Sequence, residues 1–333
     1  MAKSDILPVP SGTSALAQAV TGALVDDWLE YEALVNGAST NTITAYRRGL
    51  TAFTTWLDAT GVALGDVTPM DVETFKGDLL ARYAPGTVNL RLTAVRSFYR
   101  YVVTLGRLAV NPAREVKGAK RSNSKVHKRD ALTGSEVRGV LDAPDTGTLA
   151  GVRDKAIVAL MAFCGLRSVE IHRADIGDLR TRGDRLTLDV QGKGRKEKDE
   201  YVVIPMRAEG TIRAWLRHRL TFKNAGANDA LFISLSNRRK CERLTLRGIR
   251  WIVKQHYGAA GVVGAKKSTH SLRHSAITNA IRKGATPMQV QSMARHASYD
   301  TTLGYFHEVS RLDDPAEDLI SYDSDQAGTD DQD

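Results

Sequence analysis

The sequence predicts a mostly α-helical protein with a small β-sheet, built as two domains, and three observations carry that prediction. Apolar residues recur at three- and four-residue steps through most of the chain. One stretch, "RLTLDVQGKGRKEKDEYVVIP", instead alternates in the manner of two strands around a glycine-flanked turn. A basic run without apolar periodicity separates an N-terminal group of helical segments from a longer C-terminal group. The length of 333 residues, with 42% hydrophobic and 26% charged, is ordinary globular composition for two domains.

Taken in order, residues 1–14 have the Pro, Ser and Gly content of a disordered arm. A helical domain is expected over 15–110. In "STNTITAYRRGLTAFTTWLDATG", Ser39 or Thr40 caps a helix, Ile43, Tyr46, Leu50, Phe53 and Leu57 form its apolar stripe, and Gly61 ends it. "MDVETFKGDLLARYA" and "GTVNLRLTAVRSFYRYVVTLG" supply two further helices; the latter is expected to bury Leu90, Val95, Phe98 and Val102 while presenting Arg91, Arg96 and Arg100. Residues 111–131 read as a basic interdomain linker, with seven basic residues and one acid between Arg114 and Arg129. Such a run is either a solvated hinge or a strap across phosphates.

The second domain is expected over 132–312. It opens with helical patterns at "TGSEVRGVLDA" and "GVRDKAIVALMAFCG" and continues into the hairpin, where Leu186, Leu188 and Val190 share a face and a return strand covers 201–204. Helices follow at 209–218, 245–256, 268–282, 286–294 and 301–308. Residues 313–333 form an acidic tail in which Leu319 and Ile320 lie on one side of a short segment, as a solvated end or as a helix that docks on a neighbouring subunit.

The net charge is +9, but the nine acids of the tail conceal a body, residues 1–311, that carries +18. That surplus points to a polyanion, and by itself suits DNA, RNA or an acidic membrane. No run of 18 or more apolar residues occurs, and the N-terminus lacks the order of a signal peptide, so a soluble cytoplasmic protein is expected. Cys164 and Cys241 have neither metal-ligand spacing nor the density of a disulfide scaffold.

Chemistry enters where charge interrupts apolar pattern. On a helical wheel Leu272, Arg273, Ala276, Ile277, Ala280 and Ile281 share one sector, so Arg273 lies within the stripe that faces the core. A buried guanidinium needs a negative partner, and no carboxylate is within helical reach on that face; a phosphate would serve. Arg167 follows the uncharged run "AIVALMAFCGL", with Glu170 three residues on, either as a structural pair or as an oriented anion ligand. His270 and His274 have the spacing of a metal pair, but "HSLRH" lacks the glutamate of HExxH and sets an arginine between the ligands. No metal and no cofactor are expected.

From Thr40 to His307 the chain resembles the tyrosine recombinases of the phage integrase and Xer type. The resemblance rests on "CGLRSVEI", "QGKGRKEK", "HSLRH" and "ARHASYDTTLGYFH" in that order, with 3 residues from His270 to Arg273, 23 more to His296 and 9 more to Tyr305. It implies an N-terminal SAM-like helical core-binding domain and an α+β catalytic domain. It also implies a catalytic set of Arg167, Lys193, His270, Arg273, His296 and the nucleophile Tyr305, with Glu170 and His274 in support. The residues alone do not choose Tyr305 over Tyr257, Tyr299 or Tyr322, nor Lys193 over Arg195, Lys196 or Lys198. Where family members usually read Leu-Gly-His this chain has "ARH", so Arg295 replaces a glycine beside His296.

Two arginines would hold the non-bridging oxygens of a phosphodiester while staying charged. The implied activity is site-specific strand exchange through a 3′-phosphotyrosine, with release and later attack of a 5′-hydroxyl. The implied partners are duplex DNA bearing specific sites, a homotetramer assembled on DNA from monomers, and an accessory DNA-bending protein, with no membrane. Arg47, Arg48, Arg91, Arg96, Arg100, Lys120 and Arg121 are the expected DNA contacts. A type IB topoisomerase or a non-cutting DNA-binding protein on the same fold are the competing expectations.

Overall fold

The computed structural model describes residues 15–120, 131–192 and 197–313, with Pro315, Asp318 and Ile320 beyond. The chain divides into two compact units, 1–123 and 124–333.

The first unit holds α1 (Ala15–Leu34), α2 (Thr40–Thr60), α3 (Pro69–Leu80) and α4 (Pro85–Thr104). Local chemistry sets the boundaries of the last three. Ser39 Oγ accepts the Thr42 N–H to start α2, and Gly61 closes it in the left-handed conformation. Thr68 and Asp71 form a reciprocal capping box before α3, and Pro69 and Pro85 occupy first helical positions. Gly49 lets α2 approach α4 closely, because a Cβ there would come within 2.9 Å of Ala94 Cβ. Trp28, Phe53, Phe75, Phe98 and Tyr99 fill the core, with edge contacts such as Phe53–Phe75 at 5.0 Å.

Three readings of this unit change. α1 was not among the individual helices that the sequence pattern marked. Leu90 is 49% exposed and Leu92, two positions on, is buried in its place. Arg96 is not an open surface cation: its Nη2 donates to Val116 O at 2.6 Å and its Nε to Ala113 O at 3.3 Å. Those bonds fold 111–120 back onto the unit, burying Ala113, Val116 and Ala119, so the first half of the basic run is packed chain and not linker. Its apolar residues are too few to show periodicity, and they are held by hydrogen bonds that also include Asn89 Nδ2 to Ala119 O. Arg121 and the remainder of the run lie outside the described residues.

The second unit contains α5 (Gly134–Asp142), α6 (Leu149–Cys164), α7 (Ser168–Arg173), β1 (Leu179–Arg182), β2 (Arg185–Val190), β3 (Glu200–Val203), α8 (Met206–Arg219), α9 (Leu246–Ala259), α10 (Thr269–Arg282), α11 (Pro287–Ala294) and α12 (Tyr299–Asp313). The sheet is antiparallel in the order β1-β2-β3. The expected hairpin therefore has a third strand. "LRTR" has no apolar alternation because β1 is joined to β2 by charge: Arg180 and Arg182 both pair with Asp189, at 3.0 and 2.7 Å. Thr187 and Asp189, on the face away from Leu186, Leu188 and Val190, are consequently buried as well. α6 is buried almost all round, from Ala156 through Met161, and packs against α8 and α10. α10, α11 and α12 enclose a smaller core of Ile277, Val290, Ala294 and Tyr305.

Candidate active site

The site is assembled where two helices end. α6 terminates at Gly165, whose left-handed backbone (φ 60°) turns the chain toward Arg167 at the head of α7. α11 terminates at Arg295, also left-handed. Helix C-termini leave carbonyl oxygens unpaired and carry partial negative charge. Arg273, on the inner face of α10, answers both: Nη1 donates to Gly165 O at 2.6 Å and Nη2 donates to Ala294 O. That is how an arginine only 1% exposed is tolerated in a core. Burial, then the charges of Arg167 and Arg295, push its pKa down to about 9, against the opposing pull of Glu170 and Tyr305.

Arg167 donates from Nη1 to Glu170 Oε1 at 2.8 Å, and its backbone N–H donates to Glu170 Oε2 at 2.7 Å. Its side chain keeps 24% of its surface exposed, whereas that of Glu170 keeps 2%. Burial alone would raise the Glu170 carboxyl; the Arg295 charge, the Arg167 N–H and the Arg167 charge more than offset it, and the group lies below its ordinary value.

Tyr305 is 4% exposed on the inner face of α12. The His296 ring stacks on it at 5.7 Å between centroids, and the His274 ring lies 5.2 Å away. His274 in turn meets His270 edge-on at 5.2 Å. Nδ1 of His296 is 3.0 Å from the hydroxyl of fully buried Thr302. Burial pushes the Tyr305 phenol up to about 12, although Arg273 and Arg167 both pull it down. Beside this group a cleft of about 1360 Å³ is lined by Arg167, Arg295, His296, Arg185 and Tyr201 among others.

The fold thus gathers Arg167, Glu170, His270, Arg273, His274, His296 and Tyr305 from α7, α10, α12 and the end of α11. Lys193 lies outside the described residues. Sequence reasoning did not place Arg295 and Thr302 in the site. Arg295 was visible only as an oddity beside His296, and Thr302 gave no signal, being one small polar residue in an amphipathic helix. Among the described residues no cluster of three His, Cys, Asp or Glu side chains could hold a metal, and no helix is long and apolar enough to cross a membrane. In the first unit Arg47, Arg48 and Arg100 are exposed, Arg47 being paired with Asp26 at 2.7 Å; Arg91 lies over the Tyr83 ring at 4.0 Å, and Lys120 is exposed.

A helical module followed by a second domain whose buried tyrosine is ringed by arginine and histidine is an arrangement suited to an anionic phosphate ester. Comparison with known proteins makes the class specific. Residues 130–311 match the model of the phage integrase family, and residues 25–106 match its N-terminal SAM-like domain. The chain belongs to the phage integrase family of tyrosine recombinases, enzymes that transfer DNA strands. It is 32% identical to the tyrosine recombinase XerD of Caulobacter vibrioides over 290 residues, covering 86% of this chain and 92% of that one. It is likewise 32% identical to XerC of a Mycobacterium species, covering 87% and 96%. In fold it resembles the XerH site-specific recombinase in a post-cleavage complex with palindromic difH substrate (TM-score 0.72, 20% identity, 91% of this chain and 86% of that chain). It also resembles a lambda integrase tetramer bound to a Holliday junction (TM-score 0.63, 16% identity, 88% and 80%).

Proposed function

We propose that this protein exchanges DNA strands at specific sites through a covalent 3′-phosphotyrosine. The observation that carries this is the convergence of Arg167, Arg273 and His296 on Tyr305, in a family member whose aligned relatives are recombinases. Tyr305 Oη attacks the phosphorus while its proton passes to His270. The bond to the 5′-oxygen breaks, and Lys193 protonates that oxygen as it leaves. Arg167 and Arg273 hold the non-bridging oxygens, His296 donates a further hydrogen bond, and Glu170 and His274 support them from behind. The 5′-hydroxyl of a second strand reverses the step and regenerates the phenol, so the bond energy is retained and no nucleotide cofactor is consumed.

A phenol held at about 12 is inert at neutral pH, so attack requires the base and a phosphate drawn against the cations. The first unit contributes Arg47, Arg48, Arg91, Arg100, Lys120 and Arg121 to backbone phosphates. Strand exchange takes place in a tetramer assembled on two sites by subunits that are monomeric in solution, with an accessory DNA-bending protein as a further partner. The fold likeness to a lambda integrase tetramer bound to a Holliday junction supports the tetramer alone. The test is incubation with nicked suicide duplexes carrying candidate sites, in EDTA. Wild type is expected to become covalently joined to DNA and Tyr305→Phe is not; an adduct in the variant, or a requirement for magnesium, refutes the reading.

A further inference from the structure

Among the described residues only Arg295 and Cys241 adopt a positive φ without being glycine, and Arg295 does so (φ 51°, ψ 53°) within the site. The left-handed turn carries its side chain inward, where 3% of it remains exposed. Nε donates to Glu170 Oε1 at 3.3 Å and Nη2 to Glu170 Oε2 at 2.8 Å, while Nη1 donates to Met293 O at 2.6 Å. All three nitrogens are committed to protein acceptors.

We infer that Arg295 is a positioning residue: by taking both oxygens of Glu170 it fixes the carboxylate that fixes Arg167, and so aligns the phosphate-binding guanidinium. The bidentate fork gives Glu170 one orientation, and Arg167 can bond it in only that orientation. The backbone contributes to the same end. Arg167 Nη2 lies 3.4 Å from Ala294 O and 3.5 Å from Arg295 O, and Arg273 donates to Ala294 O. Residues 294, 295 and 296 therefore supply, in succession, a carbonyl to both phosphate-binding arginines, a guanidinium to Glu170 and an imidazole to Tyr305. Arg167 already reaches both oxygens of Glu170, through its backbone N–H and Nη1, and Arg295 adds a second donor to each, so the carboxylate is held from two sides.

This inference rests on the cleavage reading above, and its test separates the two. Arg295→Gly and Arg295→Lys are compared with wild type and Tyr305→Phe in single-turnover adduct formation and in DNA affinity across salt concentrations. Glycine suits the left-handed turn, and lysine retains charge without the fork. Arg295→Gly is expected to form adduct about 10- to 100-fold more slowly, the penalty of a misplaced catalytic group, with unchanged affinity and salt dependence. Arg295→Lys is expected to lose less. Acting through Glu170, the substitution should add nothing to Glu170→Gln, an identity that a merely structural role would not produce. An unchanged rate in Arg295→Gly, or in Arg295→Lys should the glycine variant fail to fold, overturns the inference. Weaker binding with a salt slope reduced by about one also overturns it, by making Arg295 a phosphate ligand. Should wild type form no adduct, the cleavage reading falls. Positioning is then read from the Arg167 side-chain Nε–H resonance of 15N-arginine protein, expected to be sharp in wild type and lost in Arg295→Gly; its persistence there overturns the inference.

Discussion

Replacing Glu170 by glutamine preserves shape and removes the one charge that a buried carboxylate shares between two arginines. Glu170 accepts from Arg167 at 2.8 Å and from Arg295 at 2.8 Å. At an effective dielectric constant of about 20, each such approach corresponds to about 6 kcal/mol of gross attraction. Desolvation and repulsion among the three arginines consume most of that, and breaking a buried pair by removing one partner costs about 3–5 kcal/mol net, because a charge is stranded. In Glu170→Gln the stranded charge is Arg295, with no solvent to turn to. The assay is urea denaturation of the intact chain followed by circular dichroism, with thermal unfolding in parallel. For a unit of this size the loss corresponds to a fall in melting temperature of roughly 6–20 °C. Glu170→Gln/Arg295→Gly removes the stranded cation and is expected to recover about half of the loss or more. Were Glu170→Gln as stable as wild type to within about 0.5 kcal/mol, Glu170 would not be the counter-ion that holds the two arginines, and the reasoning would fail.

Three further outcomes can be checked. The lowered Glu170 pKa makes its contribution to stability fully present above the ordinary value and lost as pH falls through the folded-state value, so acid unfolding of wild type should be steeper than that of Glu170→Gln/Arg295→Gly. The Tyr305 phenol is raised to about 12, so its contribution is present below about 10 and lost between the two; Tyr305→Phe should lose less stability than wild type when urea midpoints at pH 9 and 11 are compared. Arg96→Ala, which orphans the carbonyls of Ala113 and Val116, should cost about 1–3 kcal/mol in stability, whereas exposed Arg100→Ala should cost almost none and lower the salt slope of DNA binding by about one.

Much of this molecule is legible in its sequence. Periodicity marked α2, α3, α4 and the helices of the second domain other than the six-residue α7, because an amphipathic helix must place apolar residues on one face and that spacing is written locally. The capping candidate Ser39 and the terminator Gly61 do lie where α2 begins and ends. Arg273 announced itself by standing in an apolar stripe, since a charge in such a stripe needs a partner. What answers it could not be read: the carbonyls of Gly165 and Ala294 are 108 and 21 residues distant and become acceptors only because two helices end at one point. β1 escaped notice for a related reason, being held by ion pairs to Asp189 instead of by apolar alternation.

The sequence by itself determined most of the element types and the excess of positive charge on the body, both properties of residue type and local spacing. Tertiary structure alone decided that Arg96 serves the fold, that Arg295 shares Glu170 with Arg167, and that Tyr305 is packed beneath His296 and His274. Each of these depends on distances between segments far apart in the chain. Electrostatic and hydrogen-bond energies are settled by those distances, which no local pattern encodes.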